Sequence, residues 1–77
     1  MKAISKITIY RNRLPARGVR VALEYTGWFT AGFTSNYYTN EEGVALIEHE
    51  TKGKAIVYVN GREEGRMRVP GSEVYYL

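Results

Sequence analysis

The sequence predicts an all-β domain, and three observations carry that prediction. Residues 19–26, Val-Arg-Val-Ala-Leu-Glu-Tyr-Thr, alternate apolar and polar side chains, the period of a strand with one buried face. Asn60-Gly61 stands between two extended runs. That dipeptide is a strong hairpin signal, because a type I′ turn needs positive φ at both central positions. No stretch shows the 3.6-residue period or the caps of a helix. Short runs bounded by turn residues instead recur at spacings of roughly 8–12 residues, so the expected architecture is a single small antiparallel β-sandwich of about seven strands. A small OB-fold or SH3-like barrel is the alternative.

Taken in order, residues 4–10 alternate with Ile7 and Ile9 on one face and Lys6, Thr8 and Tyr10 on the other, as a half-buried strand would. The first five or so residues read as a candidate disordered tail. Residues 11–18 hold Pro15 and Gly18 among arginines and read as a loop, since proline cannot donate to a central ladder. Residues 19–26 form the clearest strand. Residues 27–32 lie between glycines and contain the single tryptophan, Trp28, beside Phe29. A turn or bulge is expected there.

Residues 33–39 return to extended character, and Asn40-Glu41-Glu42-Gly43 closes them with a turn in which Gly43 takes positive φ. The next strand, residues 44–50, is apolar on both faces at its start, which suggests a central position. A turn at residues 51–54 leads into Ala55-Ile56-Val57-Tyr58-Val59, the most β-prone run, expected to be buried on both faces. After the Asn60-Gly61 hairpin, residues 62–69 are charged, with Met67 and Val69 on one face, as in an edge strand. Pro70-Gly71 turns the chain into a last strand over residues 73–77.

A chain of 77 residues makes one domain, spanning positions 1–77, because a second core would not fit. The absence of cysteine excludes a disulfide framework, a thiolate nucleophile and a Cys-based zinc site. It also favours a reducing compartment, so the expectation is a soluble, cytoplasmic chain. The opening Met-Lys-Ala-Ile-Ser-Lys begins like a leader, but Thr8, Tyr10, Arg11 and Asn12 interrupt the apolar segment that should follow. No run approaches the roughly 18 apolar residues of a transmembrane segment.

Several short patterns in the chain belong together. Pro15 and Gly18 lead into Val19, Val21 and Leu23. Thr39, Asn40 and Gly43 open a strand with Ala45 and Ile47. Gly53 then precedes Ala55, Val57, Val59 and Gly61. This order resembles the transthyretin-like, or carboxypeptidase-regulatory-like, β-sandwich modules, with Asn40 where those modules usually carry Asp. Both side chains serve as a local acceptor in such a turn. The resemblance implies a seven-stranded sandwich. It also implies an accessory role: supporting a neighbouring domain, making protein contacts, or serving in surface and carbohydrate-linked proteins.

Catalytic sets are missing. Ser5, Ser35 and Ser72 lack a nucleophile-elbow context, and the single histidine, His49, leaves little for a triad. His49 and its neighbours Glu48 and Glu50 point to alternate faces of a strand, so a surface or strand-end histidine is expected rather than a metal ligand. Asn40, Glu41 and Glu42 lack the ligand spacing of a calcium loop and read as a plain turn. No glycine-rich nucleotide motif occurs. The chain is therefore expected to be non-catalytic, with no cofactor and no metal.

The candidate binding residues fall in two groups. Trp28, Phe29, Phe33, Tyr37 and Tyr38 form an aromatic cluster. It can serve as a platform for a sugar, a peptide or a base, or fill the core, which is the expectation for Trp28 and Phe33. Tyr37 and Tyr38 face opposite ways on a strand, which leaves at least one of them exposed. Arg11, Arg13, Arg17 and Arg20 form a basic segment able to grip phosphate or sulfate, although solvated loop charge is the simpler reading.

The first functional expectation is a binding or interaction module that engages a protein partner or its own copy. Sheet edges and the aromatic loop would supply the contacts. A nucleic-acid-binding small β-barrel is the second reading, suggested by the net charge of +3 and the aromatics near arginines. A carbohydrate-binding module that stacks sugars on Trp28 and a tyrosine is the third.

Overall fold

The computed structural model describes residues 2–26, 32–50 and 52–77. Trp28 and Phe29 lie outside the described residues. Among the described residues there are nine strands and no helix: β1 (Ala3–Arg11), β2 (Leu14–Pro15), β3 (Arg20–Tyr25), β4 (Gly32–Phe33), β5 (Tyr37–Tyr38), β6 (Val44–His49), β7 (Gly53–Val59), β8 (Arg62–Val69) and β9 (Ser72–Tyr76). The strands make two sheets.

In the first sheet β1 is central. β6 runs antiparallel to it from Ala3↔His49 to Thr8↔Val44. β2 folds back on Tyr10 and Arg11. In the second sheet β3 pairs with β4 and β5 on one side and with β7 on the other, and β8 lies outermost beside β7.

The expectation of purely antiparallel pairing needs a correction. β9 lies parallel to β1, from Lys6↔Ser72 to Tyr10↔Tyr76. The Pro70-Gly71 corner carries the chain out of the second sheet and lands β9 beside β1 in the same direction. Gly71 anchors the corner: its carbonyl accepts from the Lys6 N–H at 2.9 Å and its N–H donates to Ser5 Oγ at 3.2 Å.

One apolar cluster draws on both sheets. Ile7, Ile9 and Ile47 come from the first, Val21, Leu23 and Val57 from the second, and all six are fully buried. Each such side chain contributes about 1.5–3 kcal/mol on burial. Tyr25, Tyr37 and Tyr75 pack against the cluster at its margins. Thr39 ties the linking segments together: its buried hydroxyl accepts from the Val19 N–H and donates to the Ala16 carbonyl.

Four local expectations are revised. The segment expected as a loop after β1 is a two-residue hairpin, with Asn12 and Arg13 at φ 52° and 68° and Arg11 opposite Leu14. Pro15 is tolerated there because β2 is an edge strand. Within the stretch expected as a tail, Ala3, Ile4 and Ser5 are strand residues, paired with His49, Glu48 and Ile47. β6 is at an edge, not central, and its outward Leu46 is 57% exposed. His49 ends its strand as expected but is buried, with Nε2 at 2.7 Å from Ser5 Oγ and its ring tilted against Tyr25.

The turns follow their local chemistry. Asn60 and Gly61 take φ 52° and 83°, and Val59 pairs with Arg62. Asn40 Oδ1 accepts from the N–H groups of Glu42 and Val44. Gly43 sits at φ 77°, where a Cβ would lie 2.5 Å from the Ile9 carbonyl oxygen.

Candidate functional site

The register across β3, β7 and β8 sets the outer face of the second sheet. Partners in a ladder share a face. Arg20 pairs with Tyr38, Ala22 with Tyr58, and Tyr58 with Glu63. The next row holds Phe33, Glu24, Ile56 and Arg66, and the last pairs Lys54 with Arg68. A bulge at Glu64 shifts the register between Val57 and Tyr58. It lets Glu63 and Arg66 both point outward while Met67 and Val69 stay in the core.

An aromatic shelf occupies this face. The rings of Phe33 and Tyr58 meet at 5.6 Å and 51°, a tilted pairing typical of aromatic contacts. Ala22 and Ile56 lie buried in the same outward rows. Phe33 is 63% exposed and Tyr38 61%. Beside Phe33 opens a hollow of ≈ 270 Å³ lined by Arg20, Ala22, Phe33, Asn36, Tyr58 and Gly61.

Polar contacts hold the shelf in place. The Tyr58 hydroxyl donates to Glu24 Oε1 at 2.9 Å. That bond, with partial desolvation and the charges of Glu24 and Glu63, raises the phenol above its ordinary pKa against a lowering by Arg66. Arg20 is fixed through its backbone: its carbonyl accepts from the Asn60 N–H, and its N–H donates to Asn60 Oδ1. Its guanidinium rests on Gly61, where a Cβ would come within 3.0 Å of Nη2.

Beyond the shelf lies a cationic corner. Lys54 stands directly opposite Arg68, and both line a shallow hollow of ≈ 280 Å³ with Arg66 and Met67. Among the described residues the ion pairs are Lys2–Glu48 and Arg17–Glu41, so none of these three cations is paired.

The predicted site residues are distributed over the molecule. Tyr38 and Arg20 come together on the shelf. Tyr37 turns to the other side, half-buried, with its hydroxyl 3.4 Å from the Glu48 carbonyl oxygen. Arg11 lines a separate hollow of ≈ 400 Å³ with Asn60, Arg62, Glu64 and Tyr76. Arg13 lies in the hairpin turn, and Arg17 pairs with Glu41 at 3.5 Å, both exposed. The basic segment is therefore not one patch. Phe33, expected in the core, is on the surface because it pairs with outward-facing Glu24.

Sequence reasoning missed Tyr58, Glu24 and the Lys54–Arg68 pair. The available signal was the phase of β7: Ala55, Val57 and Val59 alternate with the bulkier Ile56 and Tyr58. The outer face of the first sheet is a second apolar surface. It exposes Ile4, Leu46, Val74 and Tyr76, the last stacked on Tyr10 at 5.4 Å and 16°.

Among the described residues no group of three or more His, Asp or Glu converges as a metal site, and no helix is long and apolar enough to cross a membrane. The sequence matches no protein-family model and no curated protein. What the geometry defines is a small all-β domain of two sheets with an open aromatic face.

Proposed function

We propose that this chain is a non-catalytic recognition module on a transthyretin-like β-sandwich, and that it binds a protein partner through the outer face of its second sheet. The carrying observation is the exposed Phe33 paired with the half-buried Tyr58, which with Arg20 line a hollow of ≈ 270 Å³, and the exposed Tyr38 on the same face. Aromatic and arginine side chains dominate the energetics of protein interfaces, and the hollow suits one apolar anchor. For the sandwich, support comes from the apolar cluster shared by both sheets and from β4 and β5, which pair with one side of β3 as two halves of an interrupted strand.

The outer face serves this role better than the edge strands β6 and β8. β8 carries a bulge and five charged residues, devices that discourage strand addition. On β6, Val44 is bonded to Asn40 through both backbone groups, and the Tyr37 hydroxyl approaches the Glu48 carbonyl.

Selection of a random peptide library tests the proposal, with wild-type protein as bait and the Phe33→Ser variant as counter-bait. Peptides enriched on the wild type and lost on the variant are expected. Enrichment that is equal on both, or none at all, contradicts it.

A further inference from the structure

Building on that reading, we propose that the partner presents an extended acidic segment, with an apolar anchor in the Phe33–Tyr58 hollow and its carboxylates on Lys54, Arg66 and Arg68. Two like charges placed directly opposite on a sheet destabilise it. Lys54 and Arg68 stand in that arrangement, Arg66 shares their hollow, and no carboxylate among the described residues pairs with any of the three. An anionic partner converts this repulsion into binding.

The spacing of the segment follows from β7. Tyr58 and Lys54 are four positions apart on one strand face, or about 13 Å at roughly 3.3 Å per residue. An extended ligand along the strand therefore carries its acid about four residues from its anchor.

A peptide fits this face better than a polynucleotide. Glu24 and Glu63 are on the same face, in the rows of the shelf. A strand with a phosphate at every nucleotide would meet these carboxylates, whereas a peptide can confine its charge to the corner. The 51° tilt of Phe33 against Tyr58 frames a hollow and offers no parallel pair for base stacking.

Fluorescence anisotropy with labelled probes tests the assignment. The probes are the peptide Trp-Ser-Gly-Ser-Asp-Glu, its Lys-Lys counterpart, its Ala-for-Trp counterpart and an oligothymidylate. The proteins are the wild type, the double variant Lys54→Glu/Arg68→Glu, the milder Lys54→Gln/Arg68→Gln, and Phe33→Ser, each checked for folding by its amide spectrum. The acidic peptide is expected to bind the wild type about tenfold or more tightly than the Lys-Lys peptide. Its affinity should fall by a similar factor in either double variant, and also without the Trp.

Equal binding of the acidic and Lys-Lys peptides, both lost in Phe33→Ser, overturns the acidic assignment and leaves the recognition face standing. Preference for the oligothymidylate overturns it in favour of a nucleic acid. No binding of any peptide up to millimolar concentration overturns both the assignment and the recognition face.

Discussion

Tyr58 donates its hydroxyl proton to the Glu24 carboxylate at 2.9 Å, across the ladder that joins β7 to β3. The bond holds the phenol upright beside Phe33, and it ties the shelf to pH. Tyr58, Tyr25 and Tyr75 all have pKa values raised above 10.0: Tyr58 chiefly by its bond to Glu24, the other two chiefly by burial. A group whose folded pKa is raised contributes stability that is complete below its unfolded value and lost as pH rises through its folded value. Thermal melts should therefore be insensitive to these tyrosines at neutral pH and fall at pH above about 10. Tyr58→Phe should flatten that alkaline limb, and identical limbs in variant and wild type would contradict the role given to the bond.

Gly43 tolerates a side chain poorly. A side chain at φ 77° is in the left-handed region, which costs about 1–2 kcal/mol for an L-residue. The Cβ would also lie 2.5 Å from the Ile9 carbonyl oxygen. Gly43→Ala should cost at least about 2 kcal/mol in urea unfolding, a large share of the roughly 3–5 kcal/mol available to a domain of this size. A loss below half of that would mean the turn relaxes freely.

Thr39 bridges Val19 and Ala16 through one buried hydroxyl. Thr39→Val keeps the shape and leaves an N–H and a carbonyl unpaired, each at a cost of about 1–3 kcal/mol. Amide exchange at Val19 should quicken along with the loss of global stability. Unchanged protection of Val19 would show that another acceptor serves it.

The Ser5–His49 contact joins β1 to β6, and Ser5 Oγ also receives the Gly71 N–H. Ser5→Ala should cost about 1–3 kcal/mol and shift the amide resonances of Gly71 and His49 together. Shifts confined to Ser5 itself would argue that the corner at Gly71 is held by the Lys6 bond alone.

The parts of this fold that are readable in the sequence are those decided by neighbouring residues. Asn60-Gly61 and Asn40–Gly43 specify their turns because positive φ and a side-chain acceptor are local requirements. The inward face of Val19, Val21 and Leu23 follows from period two alone. By contrast, Leu46 looks the same in a central strand and in an edge strand, so alternation alone does not place β6 at the edge. The direction of β9 depends on where the chain changes sheets at Pro70-Gly71, which no alternation encodes.

The site divides in the same way. Tyr38 and Arg20 are conspicuous by type, and the register merely seats them together. Tyr58, Glu24, Lys54 and Arg68 become a site only through pairing across three strands and a bulge at Glu64. Phe33 reads as core until its pairing with Glu24 turns it outward.

The most direct test of the account is amide NMR mapping of the wild-type protein with a peptide selected against it. Shifts should cluster on Arg20, Ala22, Glu24, Phe33, Ile56 and Tyr58 and extend to Arg66 and Arg68. Shifts gathered instead on Ile4, Lys6, Leu46 and Val74 would place recognition on the first sheet and contradict the assignment of the aromatic face.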